Sequence, residues 1–88
     1  MTWSVYIILC SDGSLYTGIS NDVGSRFKQH AKGLGAKYFR GRQPVKLVYL
    51  EGEHDRSSAG RREHVIKQMK RAEKWQLIDS PDNELQTG

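Results

Sequence analysis

The chain has 88 residues, enough for one domain with a small hydrophobic core. Fourteen Lys and Arg residues against ten Asp and Glu give a net charge of +4 and an isoelectric point near 9.4, which favours an anionic partner such as nucleic acid. The single cysteine, Cys10, excludes an internal disulfide and a cysteine-rich zinc site, and it fits a reducing compartment. The apolar run from Val5 to Cys10 is too short for a membrane span or a signal-peptide core, so we expect a cytoplasmic protein without membrane association.

The first predicted elements are two strands, Trp3 to Cys10 and Leu15 to Ile19, on either side of the turn signal Ser11-Asp12-Gly13. If Asp12 and Gly13 alone form a two-residue turn, Leu9 pairs with Tyr16 and the two tyrosines of the strands lie on opposite faces. If Ser11 joins them in a three-residue loop, with Gly13 left-handed as a G1 bulge, Tyr6 pairs with Gly18 and Tyr16 with Ile8. Both phenols then share a face beside bare glycine backbone, where a ligand can approach.

A helix is predicted next, from Val23 to Lys32, with Asn21 or Asp22 as its N-cap and Gly33 as its C-terminal stop. Its expected apolar stripe consists of Val23, Phe27, Ala31 and Leu34. An irregular basic segment follows from Gly33 to Pro44, carrying Lys37, Tyr38, Phe39, Arg40 and Arg42.

The second half of the chain predicts a third strand, Val45 to Leu50, and a helix that starts at Asp55 or Ser57. That helix is expected to carry Val65, Ile66 and Met69 on its inner side. The segment from Arg71 to Ile78 either continues it or forms a short second helix, with Trp75 and Ile78 packed inward.

The predicted fold is α+β: a small three-stranded mixed sheet flanked by helices, in the order ββαβα with a possible extra C-terminal helix. We expect a single domain over residues 1–79 and a flexible tail over residues 80–88, because the tail is polar and contains a proline.

Three polar residues are candidates for chemistry. Arg26 and His30 are four residues apart on the first helix, so they share a face and can both reach one phosphate. Glu63 lies early in the later helix. The simpler interpretations are that His30 is a surface histidine near a helix C-terminus and that Glu63 is a solvent-exposed member of the charged stretch Arg61-Arg62-Glu63.

These residues together resemble a known family. The chain contains S-V-Y and Y-T-G around Tyr6 and Tyr16, then Gly18, Arg26 and His30, the loop G-A-K-Y-F-R-G-R-Q-P, and R-R-E ending at Glu63. In this order they resemble the GIY-YIG nuclease superfamily, and most of all its small stand-alone bacterial members. The resemblance covers nearly the whole chain, from Trp3 to Ile78.

The resemblance implies an endonuclease that uses one divalent metal ion, Mg²⁺ or Mn²⁺, weakly held without substrate. Tyr6 would be the general base toward water with help from His30 or the metal, Arg26 would hold the scissile phosphate, and Tyr16 would orient water or phosphate. Glu63 would be the protein's metal ligand, and Gly18 would be structural at the site. Lys37, Tyr38, Arg40 and Arg42 would contact the nucleic-acid backbone, DNA more than RNA.

Two further functions stay open at this stage. One is a nucleic-acid-binding module with weak or no catalysis. The other is a partner-binding domain whose basic face is only a solvated surface. As an endonuclease without an attached recognition domain, the chain is expected to be structure-selective, low in sequence specificity, or directed by a protein partner. No pattern indicates an oligomeric state.

Overall fold

The computed structural model describes residues 2–34 and 37–86, and of Arg40 and Gln86 it describes the backbone only. The described elements are β1 (Trp3–Cys10), β2 (Leu15–Ser20), α1 (Val23–Ala31), β3 (Pro44–His54), α2 (Arg56–Lys67) and α3 (Arg71–Ile78), with 3₁₀ turns at Lys37–Arg40 and Glu84–Gln86. None of the described helices has the length and hydrophobicity needed to cross a membrane. The predicted α+β fold, with its extra C-terminal helix, is confirmed.

The hairpin β1–β2 has the register of the three-residue loop. Tyr6 pairs with Gly18 and Ile8 with Tyr16. Gly13 has a φ of 83°, in the left-handed region that glycine adopts without steric cost. Its amide donates a hydrogen bond to the carbonyl of Cys10 (2.9 Å), which closes the turn. The alternative two-residue turn is therefore wrong, and the two tyrosines share a face.

The sheet is antiparallel throughout, in the order β2-β1-β3. The predicted mixed character is wrong in this respect, because β3 returns beside β1 in the opposite direction after a helix that crosses one face. β3 also extends beyond the predicted Leu50 to His54. The end of this strand is stabilised by a hydrogen bond between the Glu51 carboxylate and the His54 imidazole (2.6 Å).

Two apolar clusters cover the two faces of the sheet. The cluster on the face of α1 contains Tyr6, Ile8, Cys10 and Phe39, with Val23 and Phe27 of α1 packed against it. Of the predicted α1 stripe, Ala31 and Leu34 are wrong, because they lie at the exposed C-terminal end of the helix. Asp22 is the N-cap, accepting a hydrogen bond from the Ser25 amide (3.1 Å).

The cluster on the opposite face is covered by α2 and α3. It contains Val5, Ile7, Tyr49, Ala59, Ile66, Leu77 and Ile78, with Met69 and Trp75 partly buried against it. Asp55 caps α2 in a capping box with Ser58. The predicted inner position of Val65 is wrong: half of this residue is exposed, because successive helix residues point in different directions and Ile66 takes the inward one here.

The C-terminal segment contacts the outer edge of β3. Asn83 is 2% exposed, and its side-chain amide donates to the carbonyls of Val48 and Ile78 (both 2.8 Å) while its oxygen accepts from the Leu50 amide (3.1 Å). Such bonds satisfy backbone groups that an edge strand otherwise leaves open. Asn83, within the tail predicted to be flexible, is thus bound to the edge of the sheet. Residues 87 and 88 lie outside the described residues.

Candidate active site

Tyr6 lies on the central strand with its phenol directly over Gly18 of β2. A Cβ atom at Gly18 would lie 2.5 Å from the Tyr6 hydroxyl oxygen, 2.7 Å from its Cζ and 3.1 Å from Cε2 of Tyr16. Real Cβ atoms essentially never approach so closely, and Tyr6 is only 1% exposed, so its ring has little room to move. The absence of a side chain at Gly18 therefore positions the Tyr6 hydroxyl.

The Tyr6 hydroxyl meets the imidazole of His30, with 3.1 Å between Oη and Nε2. Helix α1 carries His30 inward, where the residue is 1% exposed. Its ring stacks on Phe39, with centroids 4.3 Å apart and 29° between the planes. Nδ1 of His30 is buried and has no hydrogen-bond partner of good geometry among the described residues. The simpler interpretation of His30 as a surface histidine is wrong, because the helix face carrying His30 lies against the aromatic cluster.

The protonation of this pair follows from its surroundings. Burial and the positive charge of Arg26 lower the pKa of His30, while the backbone of Leu34 opposes them. Burial and the nearby Tyr16 raise the pKa of Tyr6 well above its ordinary value, against the opposing charge of Arg26. Both groups are therefore neutral near pH 7. In the tautomer with its proton on Nδ1, the Nε2 atom of His30 accepts the hydrogen bond from Tyr6.

Tyr16 is the centre of an aromatic cluster. Its ring lies 5.3 Å from that of His30, 5.1 Å from Tyr38 and 4.9 Å from Phe39, centroid to centroid. Burial raises the pKa of Tyr16, and the negative charge of Glu63 raises it further. The cluster holds the hairpin, α1 and the 3₁₀ turn together around the Tyr6 hydroxyl.

Arg26 lies one helical turn before His30 and is exposed. Its Nη1 donates to the side-chain oxygen of Gln29 (3.1 Å), and it has no carboxylate partner among the described residues. Its charge nonetheless acts on both Tyr6 and His30, whose pKa values it lowers. A guanidinium without an anionic partner beside a buried hydroxyl is suited to binding a phosphate.

Glu63 reaches this region from α2, since its negative charge contributes to the raised pKa of both Tyr6 and Tyr16. Its side chain is 24% exposed and forms an ion pair with Lys67, 3.4 Å from Nζ to Oε2. Within the described ranges, no three His, Cys, Asp or Glu side chains cluster as a metal site. One accessible carboxylate nevertheless fits Mg²⁺ or Mn²⁺, because such ions keep several waters and take further oxygens from substrate phosphates.

The basic segment between α1 and β3, here called the basic loop, is built around Arg42. The Nε atom of Arg42 lies 2.6 Å from a carboxylate oxygen of Asp12, its Nη1 donates to the Tyr38 carbonyl (3.3 Å), and its guanidinium lies 4.2 Å from the Tyr38 ring centroid. Arg42 thus connects the hairpin turn to the 3₁₀ turn, in addition to the nucleic-acid contact that the sequence predicts. Lys37 is exposed.

Two residues of the site were missed by sequence reasoning. Phe39 forms the ring stack under His30, and Asp12 holds Arg42. The aromatic pair Tyr38-Phe39 inside an otherwise basic segment was a signal that this segment packs inward. Nothing in the spacing indicated that Asp12, a turn residue, would meet Arg42 thirty positions later.

Comparison with known proteins agrees with this geometry. The model of the GIY-YIG catalytic domain matches residues 2–76. A UPF0213 protein of Clostridium perfringens is 53% identical over 76 residues, which cover 86% of this chain and 82% of the relative. The solution structure of a UPF0213 protein from Bacillus halodurans aligns with a TM-score of 0.59 and 42% identity, covering 97% of this chain and 90% of that one. A solution structure from E. faecalis aligns with a TM-score of 0.63 and 34% identity, covering 90% and 84%.

The domain model covers most of the chain, and the residues that the resemblance assigned to the site, Tyr6, Tyr16, Gly18, Arg26, His30 and Glu63, are those just described. The chain belongs to the GIY-YIG domain family.

Proposed function

We propose that the protein is a metal-dependent endonuclease that hydrolyses phosphodiester bonds in DNA with low sequence specificity. The observation that carries this proposal is the hydrogen bond between Tyr6 and His30, 3.1 Å long and buried. It joins the Tyr6 hydroxyl to the imidazole of His30, and the charges of Arg26 and Glu63 both act on Tyr6. Phosphodiester hydrolysis needs a proton acceptor for water, a cation for the phosphoryl oxygens and stabilisation of the leaving alkoxide.

The Tyr6–His30 pair supplies the proton acceptor. A phenol with a raised pKa is a poor base by itself. Neutral His30 removes this difficulty, because it takes the Tyr6 proton as Tyr6 takes one from the attacking water. Arg26 holds the scissile phosphate and the charge that develops on it. When bound at Glu63, a divalent cation supplies Lewis-acid stabilisation of oxyanions and lowers the pKa of its water.

The distribution of charge supports a polyanionic substrate. Residues 23–50 contain seven Lys and Arg and no Asp or Glu. This stretch includes α1, the basic loop and most of β3, which together border the aromatic cluster. Lys37, Tyr38, Arg40 and Arg42 would therefore act on the phosphate backbone rather than on base edges, consistent with low sequence specificity.

Dependence on Glu63 tests the proposal. We expect purified wild-type protein to nick supercoiled, branched or single-stranded DNA with Mg²⁺ or Mn²⁺ and to stop when EDTA is added. Glu63→Gln should abolish cleavage while DNA binding in EDTA persists. Glu73→Gln on α3 is the matched control and should cleave as wild type does. Cleavage that is unchanged in Glu63→Gln would overturn the assignment of the metal ligand.

A second candidate function is a nucleic-acid-binding module without turnover. The strong desolvation of Tyr6 favours it, because a phenol that rarely ionises can serve as a buried structural hydroxyl. Binding with no metal-dependent cut on any of these substrates would select this function over the first.

A further inference from the structure

A cavity of about 330 Å³ adjoins the candidate active site on the side of the α1 N-terminus. We call it the Trp3 cavity. Its walls include Trp3, Ile19, Ser20, Asp22, Arg26 and Gln29. The volume lies at the lower end of the ~300–1,000 Å³ typical of small-molecule sites. Since Arg26 both lines this cavity and acts on Tyr6 and His30, a ligand in the cavity would be a direct neighbour of a phosphate held at the active site.

The walls offer one aromatic surface and several polar groups. The indole of Trp3 is only partly buried. The Oε1 atom of Gln29 is occupied by Arg26 (3.1 Å), which leaves its amide nitrogen to donate to a ligand. An aromatic surface beside hydrogen-bonding side chains is the combination with which proteins bind an unstacked nucleobase.

Charge decides which part of a nucleotide enters. The Asp22 carboxylate lines the cavity, and its hydrogen bonds with Ser25 lower its pKa, so it is ionised at neutral pH and repels a phosphate from the interior. Two cations are available to a bound nucleotide: Arg26 lines the cavity, and the Arg56 guanidinium lies 5.6 Å from the centroid of the Trp3 ring. The base therefore fits inside and its flanking phosphates fit at the two guanidiniums.

We propose that the Trp3 cavity binds one unstacked base of the substrate strand, next to the phosphate held by Arg26. The proposal rests on the proposed function, which places that phosphate at Arg26. A paired and stacked base cannot enter such a cavity, so the preferred substrate is single-stranded or locally opened nucleic acid. The cavity thus supplies structure selectivity.

The chain's two tryptophans allow a direct test of binding. Trp75→Phe leaves Trp3 as the sole indole, and Trp3→Phe leaves Trp75. Trp75 belongs to α3, and the Arg71 guanidinium lies 5.8 Å from the centroid of its ring. Each is titrated in EDTA with a single-stranded tetranucleotide and with a blunt duplex. We expect the tetranucleotide to quench Trp3 fluorescence and to leave that of Trp75 unchanged, and the duplex to quench Trp3 less. Equal quenching of both indoles, or of neither, would overturn the proposal.

Affinity provides a second readout. Trp3→Leu should weaken tetranucleotide binding on the order of tenfold, as expected for the loss of one base–aromatic stack. Because Trp3 also packs against the core, Gln29→Ala, a change on the surface of α1, is measured beside it. The matched control is Gln68→Ala, at the exposed C-cap of α2. Weaker tetranucleotide binding in Gln29→Ala but not in Gln68→Ala supports the site. Equal affinities in the wild type, Gln29→Ala and Gln68→Ala contradict it.

The outcome is independent of catalysis. Cleavage with Mg²⁺ or Mn²⁺ but no Trp3 response would refute the base site and leave the nuclease in place. A Trp3 response without cleavage would establish the base site and refute the nuclease.

Discussion

At the scale of single residues, the site depends on Gly18 as much as on the side chains that carry chemistry. Its bare backbone is the surface on which the Tyr6 phenol rests, and that contact lets the hydroxyl meet Nε2 of His30. The sequence reduced the arrangement of the two tyrosines to two alternatives, because the length of the turn determines the pairing of the strands, and the register of the hairpin decides for the shared face. The stack of His30 on Phe39 was not predictable from the sequence, because it depends on the path of the chain between residues 30 and 39.

We expect Gly18→Ala to displace Tyr6 and to destabilise the fold by about 1–3 kcal/mol, the usual cost of inserting a methyl group into a packed interior. Urea unfolding measures the loss, and NMR shifts of the His30 ring report the Tyr6 contact. Gly41→Ala is the matched control: this glycine has no positive φ and no atom within 4 Å of its Cβ position among those described. A Gly18→Ala protein as stable as Gly41→Ala would contradict the account.

The buried state of His30 predicts acid sensitivity. Its folded pKa is lowered, so between that value and the unfolded value near 6.5 the unfolded chain binds more protons, and stability falls as pH falls through this window. We expect the free energy of unfolding of the wild type to decrease from pH 7.5 to pH 5.5.

The difference between the two pH values should shrink in His30→Gln. His64→Gln, on an exposed position of α2, should retain the wild-type difference. A His30→Gln protein with the same acid sensitivity as the wild type would show that another group causes it.

At the scale of elements, the starts of α1 and α2 and the hairpin turn followed from local chemistry. The turn glycine and the caps Asp22 and Asp55 stand where the sequence predicts them. The errors concern the direction of β3 in the sheet, the end of β3 and the face that single residues take. The tail was predicted to be flexible because it is polar and contains a proline, whereas the polar side chain of Asn83 binds it to backbone groups of the edge strand. That contact connects residues more than thirty positions apart.

Asn83→Ala should therefore destabilise the protein by about 1–3 kcal/mol, since it leaves the backbone groups of Val48, Leu50 and Ile78 without this partner. Urea unfolding measures the change, and hydrogen exchange at Leu50 should accelerate. Asp82→Ala, at the exposed neighbouring position, serves as control and is expected to stay within about 0.5 kcal/mol of the wild type. Equal stabilities in the two variants would mean that the tail contributes nothing to the edge.

At the scale of the whole molecule, positive charge is concentrated in two stretches. Residues 23–50 carry seven basic side chains with no acidic ones, and residues 56–74 carry seven with two acidic ones. The first stretch includes α1, on one face of the sheet, and the second includes α2, on the other face. A net charge of only +4 conceals this separation, because eight of the ten acidic residues lie outside the two stretches.

Binding to DNA should accordingly be strongly salt-dependent, with log Kd rising linearly with log salt concentration in EDTA. Lys37→Ala with Arg40→Ala should lower the slope, because the variant neutralises fewer phosphates and so releases fewer counterions from the DNA. Arg42 is left intact in this experiment because it also holds the hairpin turn. A slope identical to that of the wild type would remove the basic loop from the interface.

The central claim is that the hydrogen-bonded pair of Tyr6 and His30 performs the proton transfer of phosphodiester hydrolysis. The most direct measurement is the single-turnover cleavage rate of Tyr6→Phe, with Kd for the same DNA measured in EDTA. The matched control is Tyr49→Phe, which removes another buried hydroxyl, bonded to Glu51, within the core on the other face of the sheet. The account predicts a rate lower by about 10²–10⁴-fold in Tyr6→Phe, at unchanged Kd, and a near wild-type rate in Tyr49→Phe. A Tyr6→Phe protein that cleaves as fast as the wild type would contradict it.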